Sequence, residues 1–101
     1  MAFLAAVQTE AFGAEVASLS ELNLANRGLR SIDGVASCPA LRSLNVAFNS
    51  LTDLAPLAGA PLPQLRELNL SHNALGSGAL EALAALTQLV VLKLSHNQLE
   101  S

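Results

Sequence analysis

The apolar positions along the chain fall into a pattern that recurs four times. Leu19, Leu22, Leu24 and Leu29 open it, and Leu41, Leu44, Val46 and Leu51 repeat it. Leu65, Leu68, Leu70 and Leu75 follow, and Leu89, Leu92, Leu94 and Leu99 close it. The copies start 22, 24 and 24 residues apart. The early part of each copy alternates apolar and polar residues, as a half-buried strand does. This alternation predicts four short strands near 21–24, 43–46, 67–70 and 91–94. Connections of this length join parallel strands, and such crossovers are right-handed. Side by side, the strands make one sheet whose inward Leu side chains form a continuous core. No copy can bury its Leu face alone, so stability comes from contacts between neighbours.

The return segments behind the strands differ from one another. Leu29, Ile32, Val35, Cys38 and Leu41 recur every third residue, a period that suits a 3₁₀-like course better than an α-helix. Leu51, Leu54 and Leu57 begin the second return in the same way, and Pro61 and Pro63 stop any helix there. The third return, residues 79–86, is rich in Ala and Leu and is expected to hold the only full α-helix outside the N-terminal segment. Ser77 is its expected N-cap, with Leu80, Leu83 and Leu86 turned to the core. Residues 3–12 are expected to form a short helix ended by Gly13, with Phe3, Leu4, Val7, Phe12 and Val16 covering the first repeat.

One polar position is as regular as the leucines. Asn49, Asn73 and Asn97 stand ninth in their copies. A short amide there carries both donors and an acceptor, so it can satisfy backbone groups that the turn after each strand leaves unpaired. The three are read as a structural ladder. Arg27 occupies that place in the first copy and lacks an acceptor, with Asn26 one residue early as a partial substitute.

The pattern L-x-x-L-x-L-x-x-N-x-L over residues 19–101 resembles the leucine-rich repeat superfamily. Repeats of about 22 residues with three-spaced returns look like the subfamily of phosphatase-1 regulatory subunits. The third unit also resembles the acidic leucine-rich nuclear phosphoproteins, but the sequence has no long acidic tail, so a histone-type role is not implied. The resemblance implies an α/β solenoid: a right-handed horseshoe fragment with a four-stranded parallel sheet and a convex side of 3₁₀ or irregular returns and one α-helical return. The expected divisions are an N-terminal helical cap, 1–18, and repeats over 19–40, 41–64, 65–88 and an incomplete 89–101. The resemblance further implies a non-enzymatic, intracellular protein-interaction module, cytoplasmic or nuclear.

Composition narrows the partner classes. The chain has 101 residues and a net charge of −3, with three Phe and no Trp or Tyr. It lacks the basic surface with interleaved aromatics that nucleic-acid binding uses, so no nucleic-acid partner is expected. The longest charge-free stretch is 13 residues, 68–80, and contains His72 and Asn73. A membrane span needs about 20 mostly apolar residues, so no membrane partner is expected either. The apolar stretch 2–7 has no basic residue before it and meets Gln8, Thr9 and Glu10 at once, which does not suit a secretory signal. The single Cys38 permits no internal disulfide and fits a reducing compartment.

Catalytic and metal readings find little support. His72 and His96 share one repeat position on adjacent rungs, but the preceding rungs offer Phe48 and Asn26 at that place, so no third ligand recurs. Neither His has an acid placed by the repeat to orient it beside Ser71 or Ser95. Gly76 and Gly78 lack the Lys of a phosphate loop. No cofactor or metal site is expected. The outward columns of the sheet remain: Asn23, Asn45, Asn69, Lys93; Glu21, Ser43, Glu67, Val91; Ser20, Arg42, Arg66, Val90. Towards the turn come Ala25, Ala47, Ser71, Ser95 and then Asn26, Phe48, His72, His96. Phe48 is the one large aromatic among them, and Arg42 and Arg66 offer planar donors. The expected partner face is therefore Arg42, Asn45, Phe48, Arg66, Glu67, Asn69, His72, Lys93 and His96. The alternative is a structural or assembly component that uses its sheet edge and its uncovered C-terminal repeat. The fourth copy has a strand without a return, so Leu92, Leu94 and Leu99 are expected to need cover from self-association, from a partner or from further repeats.

Overall fold

The computed structural model describes residues 3, 5–7, 15–58, 62–84 and 86–97. Its frame is a sheet of four parallel strands in sequential order: β1 (Glu21–Asn23), β2 (Ser43–Asn45), β3 (Glu67–Asn69) and β4 (Val91–Lys93). Equivalent repeat positions face one another, with Leu22, Leu44, Leu68 and Leu92 in one register line. Each strand is one residue shorter than its alternation predicts. The rung contacts nevertheless continue, with the amides of Leu24, Val46 and Leu70 donating to the carbonyls of Asn45, Asn69 and Lys93 at 2.7, 3.0 and 2.9 Å. Parallel strands stacked in chain order, with the returns on the other side, make an α/β solenoid.

The core runs the length of the stack. Leu24, Val46 and Leu70 are fully buried, as are Leu41, Leu51 and Leu65 from the neighbouring repeat positions. The first return behaves as its spacing predicts: Leu29, Ile32, Val35, Cys38 and Leu41 are all buried around a 3₁₀ turn at Val35–Ser37. Gly34 enters that turn with φ 99°, a conformation open to glycine because it has no Cβ. Phe3 and Val7, both helical, lie buried in the same core at its N-terminal end. The rest of the helix expected over 3–12, with Leu4, Phe12 and Gly13, lies outside the described residues.

The other two returns depart from expectation. A helix, α1 (Ala55–Ala58), forms in the second return as well, so the third is not the only helical one. Pro56 is no obstacle there: it sits in the first turn, where an amide hydrogen would have no partner within the helix. The Asp53 carboxylate accepts from the Ala55 amide at 3.0 Å and starts the turn. In the third return a 3₁₀ turn, Ser77–Ala79, leads into α2 (Leu80–Leu83), which is only four residues long. The cap position is therefore Ala79, without a side-chain hydrogen bond, and not Ser77. The early turn closes through the Ala79 amide to the Gly76 carbonyl at 3.0 Å and displaces the helix start. Leu83 and Leu86 are buried as expected.

Candidate functional site

Two polar columns shape the edge where the strands end. The first is the asparagine ladder. Asn49 accepts from the amides of Arg27 and Leu29 at 3.0 and 2.9 Å, and its Nδ2 donates to the carbonyls of Leu24, Val46 and Ala47. Asn73 accepts from Leu51 and donates to Val46, Leu70 and Ser71. Asn97 accepts from Leu75 and donates to Leu70, Leu94 and Ser95. Each amide thus closes its own turn and grips the rung before it, the role its position implies. Among the described residues no buried side-chain nitrogen or oxygen is left unpartnered. Arg27 is exposed, and Asn26 does not replace the missing rung. It stands at the turn position one residue earlier, exposed and with φ 58°.

The second column was not legible as structural. Asn23, Asn45 and Asn69 each turn Oδ1 back to the amide two residues on, at Ala25, Ala47 and Ser71, with distances of 3.1, 3.0 and 3.1 Å. The signal that could have revealed it is the habit of Asn to bond its own backbone two residues ahead where a strand gives way to a turn. Lys93 takes that place on the last rung. The same turn draws Ala47 and Ser71 inward. They are buried, against the expectation that they face outward, and Ser71 shares a hydroxyl contact of 3.1 Å with Ser95.

Beyond that turn, Asn26, Phe48, His72 and His96 all have φ of 57–58°. Their amides carry the sheet contacts onward, with Asn26 donating to Ala47, Phe48 to Ser71 and His72 to Ser95. The left-handed conformation is uncommon for a bulky side chain such as Phe. Here it sends three rings out in a stack. Phe48 and His72 lie with centroids 4.1 Å apart and planes 9° from parallel, and His72 and His96 lie 4.1 Å apart at 14°. The rings sit a little closer than the strand spacing of about 4.8 Å, so the stack follows the rungs. Phe48 remains 56% exposed.

The nine residues expected to form a partner face therefore fall into four columns, two of which share the floor of the sheet. Asn45, Glu67, Asn69 and Lys93 line one shallow hollow over the sheet, together with Ser43 and Val91. Arg42 and Arg66 lie outside it, exposed on the leading rim and joined backbone to backbone at 2.9 Å. Phe48, His72 and His96 form the ring stack on the opposite rim. Nearly parallel imidazoles direct their in-plane lone pairs side by side, so they do not converge on one ion. Among the described residues no group of three or more His, Cys, Asp or Glu could hold a metal. Cys38 is a core thiol: burial pushes its pKa up, away from the thiolate a nucleophile needs.

Comparison with known proteins agrees with this architecture. The family model described as leucine rich repeat matches residues 17–75 and again 39–99. A human protein, leucine-rich repeat-containing protein 56, is 44% identical over 45 residues, which are 45% of this chain and 8% of that protein. The crystal structure of an internalin from Listeria monocytogenes superposes with a TM-score of 0.61 at 31% identity, over 80% of this chain and 21% of its own. The chain thus spans a small part of either relative. Repeating sheet register, asparagine ladder and family match lead to one conclusion: this chain belongs to the leucine-rich repeat family.

Proposed function

We propose that this chain is a non-enzymatic module that binds a protein partner across the concave side of its sheet, between the arginine rim and the ring stack. Leucine-rich repeats are in general protein-interaction modules, and that is the frame for the reading. The observation that carries it is Phe48. Its ring is more than half exposed and is held out by a backbone conformation that a bulky residue seldom adopts. Aromatics and arginines are enriched among the anchors of protein interfaces. The likeness to phosphatase-1 regulatory repeats, and an intracellular site suited to the free, buried thiol of Cys38, belong to the same reading.

The test is capture by the intact chain, beside a double variant, Phe48→Asn with Arg66→Ala. Neither side chain is in the core, so the variant is expected to keep its melting temperature and lose the partner. A partner held equally well by both would end the concave-face reading. One observation favours a second reading, as an assembly component. Val90, Val91 and Leu92 on the last rung are 73%, 38% and 39% exposed. Contact through that edge predicts sedimentation that changes with concentration and reverts when Val90→Lys and Leu92→Lys are introduced together.

A further inference from the structure

The concave face can be described by the hydrogen-bonding groups it leaves for a guest. On the second and third rungs the Oδ1 atoms of Asn45 and Asn69 are already taken by the backbone amides of Ala47 and Ser71. An amide hydrogen demands an acceptor, so the oxygen faces the chain and the NH2 group is left over. Among the described residues nothing takes the Nδ2 hydrogens of Asn45 and Asn69. What these residues offer outward is therefore donors, although asparagine by itself offers donors and acceptors alike.

The charges beside them have the same bias. Arg42 and Arg66 stand exposed on adjacent rungs, and Lys93 continues the asparagine column on the fourth. All three are donors without an acceptor. Among the described sheet-side residues of these three rungs Glu67 is the one carboxylate, facing Ser43 and Val91. The chain as a whole carries a net charge of −3. Asp33, Asp53 and Glu81 lie on the return side, and Glu21 stands on the first rung facing Ser43, so the cationic strip runs along rungs two to four with one acidic neighbour on rung one.

We infer that the segment seated on rungs two to four is an extended acidic peptide, its carboxylates received by Arg42, Arg66, Lys93 and the outward amides of Asn45 and Asn69. This rests on the concave-face reading and adds the chemistry of the partner to it. A carboxylate offers only acceptors, and a guanidinium can take it with two parallel bonds. Strand Cα atoms advance about 3.3 Å per residue and rungs lie about 4.8 Å apart, so an extended segment reaches all three rungs within about eight residues. A polyanionic nucleic acid fits less well. Its bases need free ring faces, and here the faces of His72 are covered by Phe48 and His96.

The test uses the intact chain and a labelled glutamate-rich peptide of about eight residues, followed by fluorescence anisotropy. Saturable binding is expected, with no comparable binding of serine–glutamine or lysine-rich peptides of equal length. Asn45→Asp with Asn69→Asp keeps an acceptor for each backbone amide and replaces the outward donors with acceptors, so affinity should fall about tenfold at unchanged melting temperature. Arg42→Gln with Arg66→Gln should lower it by a similar factor, and salt should weaken binding further. Equal binding of the neutral peptide, full affinity in both double variants, or equally tight binding of a single-stranded oligonucleotide would each overturn the assignment. A protein partner that depends on Phe48 and Arg66 while the acidic peptide fails would leave the interaction reading standing and remove only the acidic one.

Discussion

The middle rungs and the last rung carry a leucine in the same register line, and those leucines have different fates. Leu44 and Leu68 are 1% exposed, whereas Leu92, their partner in the register line, is 39% exposed. Val46 and Leu70 are fully buried, and Leu94 is only partly so. The first rung falls between these cases, with Leu22 at 5%, because Phe3 and Val7 complete the core at that end. A leucine in this motif is therefore not buried by its own repeat. It is buried by the next one, and the energy of the fold resides in the contacts between rungs.

The sharpest way to break this comparison is to truncate one leucine on each side of it. Leu68→Ala leaves a cavity between two rungs and should cost about 2–5 kcal/mol in urea unfolding. Leu92→Ala removes a side chain that already meets water and should cost less than about 1 kcal/mol. Equal losses would mean that the last rung is as well covered as the third. The ladder allows a parallel test. Asn73→Ala leaves the Leu51 amide without its acceptor and takes one of two donors from each of the Val46, Leu70 and Ser71 carbonyls, and should lower stability by about 1–3 kcal/mol. Arg27→Ala, at the exposed first-rung equivalent, should change it much less.

A third measurement approaches the difference from the other direction. Adding a polar capping repeat over β4 should raise stability by about 1–2 kcal/mol, through burial of Leu92 and Leu94. A melting temperature that stays put on capping would show that their exposure carries no such cost. The smallest effect concerns the ring stack. Phe48→Asn relieves the left-handed backbone and loses the contact with His72, two opposing effects of similar size. Its stability should stay within about 0.5 kcal/mol of the parent, a near-cancellation that thermal melts can check.

The helical returns show how local spacing and chain geometry compete. In the first return, apolar residues every third position ran unopposed and gave the 3₁₀ turn that they imply. The second return began with the same spacing and still made a helical turn, because Asp53 capped it and Pro56 fell where its missing hydrogen did no harm. In the third, strong helix formers yielded only four helical residues, since the 3₁₀ turn at Ser77–Ala79 took up the start of the segment. Propensity identified where a helix was permitted, and the crossing to the next strand set how much of one was used.

By itself, the sequence determined the repeat, the parallel strands, the register line of leucines and the ladder of Asn49, Asn73 and Asn97. Each follows from residue type recurring at fixed spacing, and periodicity is information that a sequence carries directly. It also put Arg42 and Arg66 in one column and Phe48, His72 and His96 in another. Only the tertiary structure decided what those positions offer. Asn45 and Asn69 became donors because the turn claimed their oxygens. Ala47 and Ser71 went inward, and Phe48, His72 and His96 closed into a stack at 4.1 Å. The reason is physical: a side chain's free groups are what remains after the backbone around it has been satisfied, and that is settled by the turn and the neighbouring rung together.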